Sequence, residues 1–122
     1  MANVRIKGYL NHIIKHCDKI ISKVKDLTKE EYDGNEDYCD LICFHLLQIG
    51  ELVKQLLTSD SSFASTFPGV PWKSIARTRD KIAHGYETID SEKVWGIALL
   101  DIPVLNEYCE YILNEINVYI DY

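Results

Sequence analysis

The sequence predicts an all-α fold: an up-down-up-down four-helix bundle whose last helix is kinked at Pro103. Three observations carry the prediction. Apolar residues recur at three- and four-residue steps over long stretches, no stretch alternates apolar and polar residues as a strand does, and the breaks between them are mostly short. With 122 residues the chain has the size of one domain, spanning 1–122, since compact domains cluster near ~100 to 150 residues.

Val4, Ile6, Leu10, Ile13, Ile14, Cys17, Ile20, Ile21, Val24 and Leu27 give one apolar face to a first helix, roughly Asn3 to Leu27. Thr28 stands three residues before Glu31, a capping-box spacing that starts a short turn, and Asp33, Gly34 and Asn35 end it. The second long helix runs from about Glu36 through "YCDLICFHLLQIGELVKQLL" to Leu57, apolar enough to be central. "TSDSSFASTFPGVPW" then reads as a surface excursion pinned to the bundle by Phe63 and Phe67. Pro71 suits the first turn of a third helix, where its missing N–H costs nothing. That helix runs through "WKSIARTRDKIA" to Gly85 with Trp72, Ile75 and Ile82 on its core face. Asp90 or Ser91 caps a last helix over "SEKVWGIALLDIPVLNEYCEYILNEINVYI". Pro103 removes a backbone hydrogen bond inside it and crowds the preceding turn, so a kink or break is expected between Leu100 and Pro103.

A hydrophobic fraction of 47% and a charged fraction of 26% suit a soluble globular protein. No continuous apolar run approaches the ~20 residues that cross a bilayer. Lys7, Asn11, His12 and Lys15 interrupt the N-terminal pattern, unlike a signal peptide, so a cytoplasmic protein without a membrane partner is expected. The four cysteines, Cys17, Cys39, Cys43 and Cys109, show no paired framework and are expected to be reduced thiols. Cys39 and Cys43 lie one turn apart and can in principle share a metal with His45 or His16, and His12 and His16 are spaced likewise. The cysteines fall among Tyr38, Leu41, Ile42 and Leu46 as core positions do, and no "HExxH" glutamate accompanies the histidines. Neither a metal nor a cofactor is expected.

A net charge of −6 argues against a general nucleic-acid coat, which is normally basic. The distribution is uneven. Acid concentrates in "KEEYDGNEDYCD" and in the last helix, whereas Lys73, Arg77, Arg79 and Lys81 face only Asp80, so any phosphate site is expected there.

The segment "RTRDKIAHGY", Arg77 to Tyr86, admits two readings. In the first it merely ends a helix: basic residues complement the negative end of the dipole, Gly85 stops the helix, and Tyr86 covers the core edge. In the second it is chemical. An arginine fork holds a phosphate oxygen by two hydrogen bonds, and an imidazole moves a proton near neutrality. Those are the parts needed to cut RNA without a metal, a base for the ribose 2′-OH and a cation for the charge on phosphorus. Arg79 and His84 are five residues apart, about 140° of rotation on an ideal helix. They converge only if His84 lies at a frayed end and turns back, a bend that positive φ at Gly85 makes easy.

Arg79, four residues, His84, one residue and Tyr86 match the Arg-x4-His-x-Tyr motif of the HepT-like HEPN proteins, the toxin half of HEPN/MNT toxin–antitoxin pairs. The resemblance extends over most of the chain. "QIGELVKQL" resembles the family's "IGE" segment, and "FPGVPWKSIARTRDKIAHGYETID" followed by "VW" resembles its Pro-Trp, Arg, His-Gly-Tyr and Asp-x-x-x-Val-Trp run. What the resemblance implies is a homodimeric helical bundle with two motif copies across a shared cleft that cuts RNA. Arg79 would bind the scissile phosphate, and His84 of one protomer would act as base while its symmetry mate acts as acid. Tyr86 would line the cleft and accept AMP from an MNT-type nucleotidyltransferase antitoxin, a bulky anion placed beside Arg79 that repels RNA.

Three residues stay open. Family members commonly carry Asn after the motif arginine, and this chain has Asp80, which can orient His84 or raise its pKa, or pair with Arg79 and compete with phosphate. Arg77 is an auxiliary phosphate contact or a surface charge. Glu51, after Gly50 on an apolar helix, is solvent-facing or paired with Arg77 or Arg79, where it would help position the motif. The leading expectation is an endoribonuclease. The alternative is a non-catalytic module that binds a nucleotidyltransferase or a nucleotide and uses the motif as a docking surface.

Overall fold

A computed structural model of the chain describes the backbone of residues 2–120 and the side chains of residues 4–116. Helices α1 (Ala2–Lys25), α2 (Lys29–Asp33), α3 (Glu36–Ser59), α4 (Phe63–Thr66), α5 (Trp72–Gly85), α6 (Ser91–Gly96) and α7 (Ile102–Ile120) follow one another; a 3-10 turn (Tyr86–Thr88) precedes α6, and a π turn (Ile97–Asp101) joins α6 to α7. No strand occurs among the described residues. Helix α3 is central, packed on one side by α1 and on the other by α5, while α7 packs against α1.

Cross-helix contacts give the directions. Lys23 lies over the Tyr38 ring and His16 meets His45, so α1 and α3 run antiparallel. Gly50 faces Arg79 while Asp40 meets Tyr86, so α3 and α5 do too. Asn106 Nδ2 donates to Asp18 Oδ1 at 3.0 Å, alongside the α1–α7 packing. Leu10, Ile13 and Ile20 of α1, Ile42, Ile49 and Val53 of α3, Trp72 and Ile82 of α5, and Leu105 and Ile112 of α7 form one buried cluster.

Local chemistry sets the ends. Thr28 Oγ1 accepts from the Glu31 N–H at 3.1 Å while Glu31 Oε1 accepts from the Thr28 N–H at 3.0 Å, so the capping box is formed. Asn35 caps α3, and Asp90 rather than Ser91 caps α6, its carboxylate accepting from the N–H groups of Glu92 and Lys93. Tyr32 is buried, stacks on Trp95 with centroids 4.6 Å apart, and donates its hydroxyl proton to the Ser91 carbonyl at 2.8 Å, fixing the entry to α6. Phe63 is buried against Phe67 and Trp72, as expected of the excursion, which also contains the unpredicted single turn α4.

The expected break before Pro103 takes the form of a π turn. The Ile102 N–H reaches back to the Ile97 carbonyl, five residues away, and this widened turn relieves the clash that proline imposes on a regular helix. Helix α3 is more apolar than a scan for continuous runs suggested, with an 18-residue window of mean hydropathy 1.3, and 44% of that window is buried. A helix packed on two sides needs an apolar surface wider than one stripe.

Three of the candidate metal ligands have other surroundings. Cys43 lies in the buried cluster, and His16 Nδ1 and His45 Nδ1 are 3.0 Å apart, one ring nitrogen donating to the other. Burial, followed by nearby Lys19, Lys15 and His12 for His16, and by His16 and Lys19 for His45, lowers both imidazole pKa values.

At Gly50 the backbones of α3 and α5 come so close that an added Cβ would stand 2.2 Å from Arg79 Cβ. Gly50→Ala is therefore expected to lose about 1–3 kcal/mol by forcing the helices apart. Gly96→Ala is the contrasting case. Gly96 is helical, at φ −61° and ψ −42°, with nothing within 4 Å of an added Cβ, so alanine should gain about 0.5–1 kcal/mol. Urea melts of the two variants check the opposite signs. The histidine pair yields a pH prediction: because both folded pKa values lie below the unfolded value of ~6.5, the unfolded chain binds more protons just below that pH. The pair's contribution is full above pH ~6.5 and declines as pH falls through the unfolded value toward the folded ones. Urea midpoints at pH 5 and 7.5 should differ more for wild type than for His45→Phe.

Candidate functional site

The close approach at Gly50 lays the Arg79 stem across α3 and brings four charged side chains together. Arg79 Nε stands 3.4 Å from Glu51 Oε2, Arg79 Nη1 is 3.2 Å from Asp80 Oδ1, and Lys54 Nζ is 3.1 Å from the same Asp80 oxygen. Two cations meet two carboxylates, so the quartet carries no net charge. Glu51 is thus the partner of Arg79, not of Arg77, and Asp80 pairs with Arg79 and Lys54 instead of orienting His84. The Lys54 ammonium, and Arg79 beside it, hold the Asp80 carboxyl below the usual carboxylate range, so Asp80 is ionised at neutral pH. The Arg79 side chain keeps 29% of its surface exposed, so the guanidinium remains reachable from solvent.

His84 does not turn back toward Arg79. Helix α5 continues through His84 to Gly85, and Gly85 takes φ −140° and ψ 38°, with no positive φ among the described residues. The bend comes one residue too late to swing the imidazole round. His84 is exposed on a regular helix, one turn beyond Asp80 and two turns beyond the exposed Arg77, so Arg77 and the exposed Lys81 are the cations on or beside the histidine's face. No hydrogen bond or ion pair links His84 to Arg79 or Tyr86 within the described chain.

Tyr86 opens the 3-10 turn, 46% exposed, and its hydroxyl donates to the Asp40 carboxylate near the start of α3. The concavity around it, about 440 Å³, is lined by Asp33, Glu36, Asp40 and Glu87 together with Tyr32, Cys39 and Ile89. Asp40 lies ten residues, about 15 Å of helix rise, from the Gly50 level at which Arg79 stands. Within one chain, then, the phenol oxygen is anchored in an acidic basin apart from the cationic group.

Two residues of the site, Lys54 and Asp40, were missed in the sequence. Lys54 follows Gly50 by one turn and shares its face of α3, so the α3–α5 contact reaches it as well. Asp40 belongs to the acidic start of α3, and antiparallel packing puts that start beside the end of α5. Both signals lay in the topology rather than in the motif.

Residues 13–112 match the family model described as "Ribonuclease HepT-like". Among curated relatives, "Putative RNase MJ0125" of Methanocaldococcus jannaschii is 32% identical over 113 residues, covering 91% of this chain and 93% of that protein. "Putative RNase TTE0752" of Caldanaerobacter subterraneus subsp. tengcongensis is 33% identical, covering 89% and 95%, and "Probable ribonuclease HepT" of Thermococcus cleftensis is 28% identical, covering 81% and 87%. No solved structure matches the chain. Spanning 100 residues of matched family sequence with this bundle around it, the chain belongs to the ribonuclease HepT-like family.

Proposed function

We propose that this chain is a metal-independent endoribonuclease toxin that works as a cytoplasmic homodimer and is silenced when a nucleotidyltransferase antitoxin attaches AMP to Tyr86. The observation that carries the reading is the solvent-reachable Arg79 guanidinium, seated on α3 at Gly50 with His84 exposed on the same helix. Family membership and the ribonuclease names of relatives support the reaction class.

The chemistry follows from those groups. An unprotonated His84 takes the 2′-OH proton, the 2′ oxygen attacks phosphorus, and a protonated His84 from the second copy gives a proton to the departing 5′ oxygen. Arg79 neutralises the charge gathering on the phosphoryl oxygens, and Arg77, on the face of His84, adds a second phosphate contact. One chain keeps Arg79 and His84 about 140° apart on α5, so a complete site calls for a facing copy. Leu99, Leu100 and Val104 are exposed and offer apolar surface for such an assembly.

Asp80 and Glu51 have to release Arg79 before it can hold a phosphate, which makes them brakes on RNA binding. Tyr86 supplies the switch. Its bond to Asp40 cannot survive conversion to a phosphodiester, whose charge is repelled by Asp33, Glu36, Asp40 and Glu87 and drawn to the cations of α5.

A second reading, a non-catalytic module that docks a nucleotidyltransferase or a nucleotide, is favoured by the neutral quartet, which leaves Arg79 with carboxylate partners already in place. Expression of the chain alone separates the two: growth arrest abolished by His84→Ala supports the enzyme, and harmless expression with stable partner binding supports the module. With purified protein in chelator, cleavage should fall by ~10²–10³ for Arg79→Ala and ~10²–10⁴ for His84→Ala. Asp80→Asn should raise kcat/KM by roughly two- to fivefold, as release of an exposed ion pair allows. Equal cleavage by wild type and both alanine variants would remove the assigned site.

A further inference from the structure

We propose that Asp40 is the proton acceptor when Tyr86 takes up a nucleotidyl group, an inference that rests on the reading of Tyr86 as the modified hydroxyl.

A tyrosine hydroxyl is neutral near pH 7, its ordinary pKa being ~10, and is a weak nucleophile until its proton has somewhere to go. Among the described tyrosines, Tyr86 alone donates its hydroxyl to a carboxylate. Tyr32 is tied to the Ser91 carbonyl, and the Tyr108 oxygen accepts from the Gly69 N–H at 3.2 Å. Tyr111 is 51% exposed, yet no carboxylate accepts from it in the described hydrogen bonds, so exposure alone does not prepare a phenol for transfer. Tyr86 combines exposure with a base already on its proton.

The placement of Asp40 is fixed independently of Tyr86. It sits in the second turn of α3, whose start is capped by Asn35 and whose buried face carries Ile42 and Cys43. Tyr86 comes from the turn that follows α5, after the Gly85 bend. The antiparallel register that seats Arg79 on Gly50 therefore delivers the phenol to the carboxylate.

The step balances. The Tyr86 oxygen forms a bond to the α-phosphorus of a nucleoside triphosphate, ATP on this reading. The bond from that phosphorus to the bridging oxygen of the β-phosphate breaks, and pyrophosphate leaves with the electron pair. The phenolic proton passes to Asp40 Oδ1 and then to water. A carboxylate is too weak a base to strip a free phenol, but the phenol becomes steadily more acidic as its oxygen bonds to phosphorus, which is when a positioned acceptor acts.

The test uses the full chain, its cognate nucleotidyltransferase, magnesium and α-labelled ATP, with initial rates measured from pH 6 to 9 for wild type, Tyr86→Phe, Asp40→Asn and Asp40→Glu. Label on wild type and none on Tyr86→Phe is the result expected of the underlying reading. Given that, Asp40→Asn should be labelled at least tenfold more slowly at pH 7, with KM for the chain unchanged and with a rate that climbs with pH as hydroxide replaces the missing base. Asp40→Glu, which keeps a carboxylate, should recover part of the rate. Asp40→Asn matching wild type across the range overturns the proposal and leaves the modification reading intact, as does a loss confined to KM. An unlabelled wild type, or label that survives Tyr86→Phe, overturns that reading and the role of Asp40 with it.

Discussion

The site depends on one steric fact: α3 and α5 approach so closely at Gly50 that only a glycine leaves room for the Arg79 stem. From that contact the antiparallel register follows, and with it every charged neighbour. Glu51 and Lys54 reach the level of Arg79 and Asp80 because they flank Gly50 on α3, and Asp40 meets Tyr86 because the same register carried toward the start of α3 arrives there. A larger residue at position 50 would move the helix that bears the whole motif.

The charges arranged by that contact bear on how an acidic chain would handle a phosphate on the proposed reading. Charged side chains along the α3–α5 seam gather in two unlike basins, one at the level of Gly50 and one near the start of α3. One holds Arg79 and Lys54 balanced by Glu51 and Asp80; the other holds Tyr86 among Asp33, Glu36, Asp40 and Glu87. On the proposed reading, an anion arriving at the first would exchange partners with carboxylates, whereas an anion formed at the second would be repelled. Exposed ion pairs are weak individually, so such an exchange costs little.

Most of the fold was legible in the sequence because each long helix writes its buried face at helical period. The spacing of Leu10, Ile13, Cys17 and Ile20 is enough to orient α1, and Thr28 with Glu31 announces α2. Pro103 announced a disruption but not its kind, since a kink, a break and a π turn all answer the same missing N–H. The site was less legible. The motif named Arg79, His84 and Tyr86 as a linear set, but side-chain direction depends on where the helix ends, and α5 holds regular geometry one residue further than a converging Arg79 and His84 require. Lys54 and Asp40 lie far from the motif in sequence and become neighbours only through the packing of α3 on α5.

The chemistry assigned to Arg79 and His84 is tested most directly by the ends that cleavage leaves. A short RNA digested in chelator and analysed by mass spectrometry should yield 2′,3′-cyclic phosphate ends, and the same oligonucleotide with a single 2′-deoxy sugar at the cut position should stay intact there. Cutting at the deoxy position, or 5′-phosphate ends formed only when a divalent metal is supplied, would contradict the account.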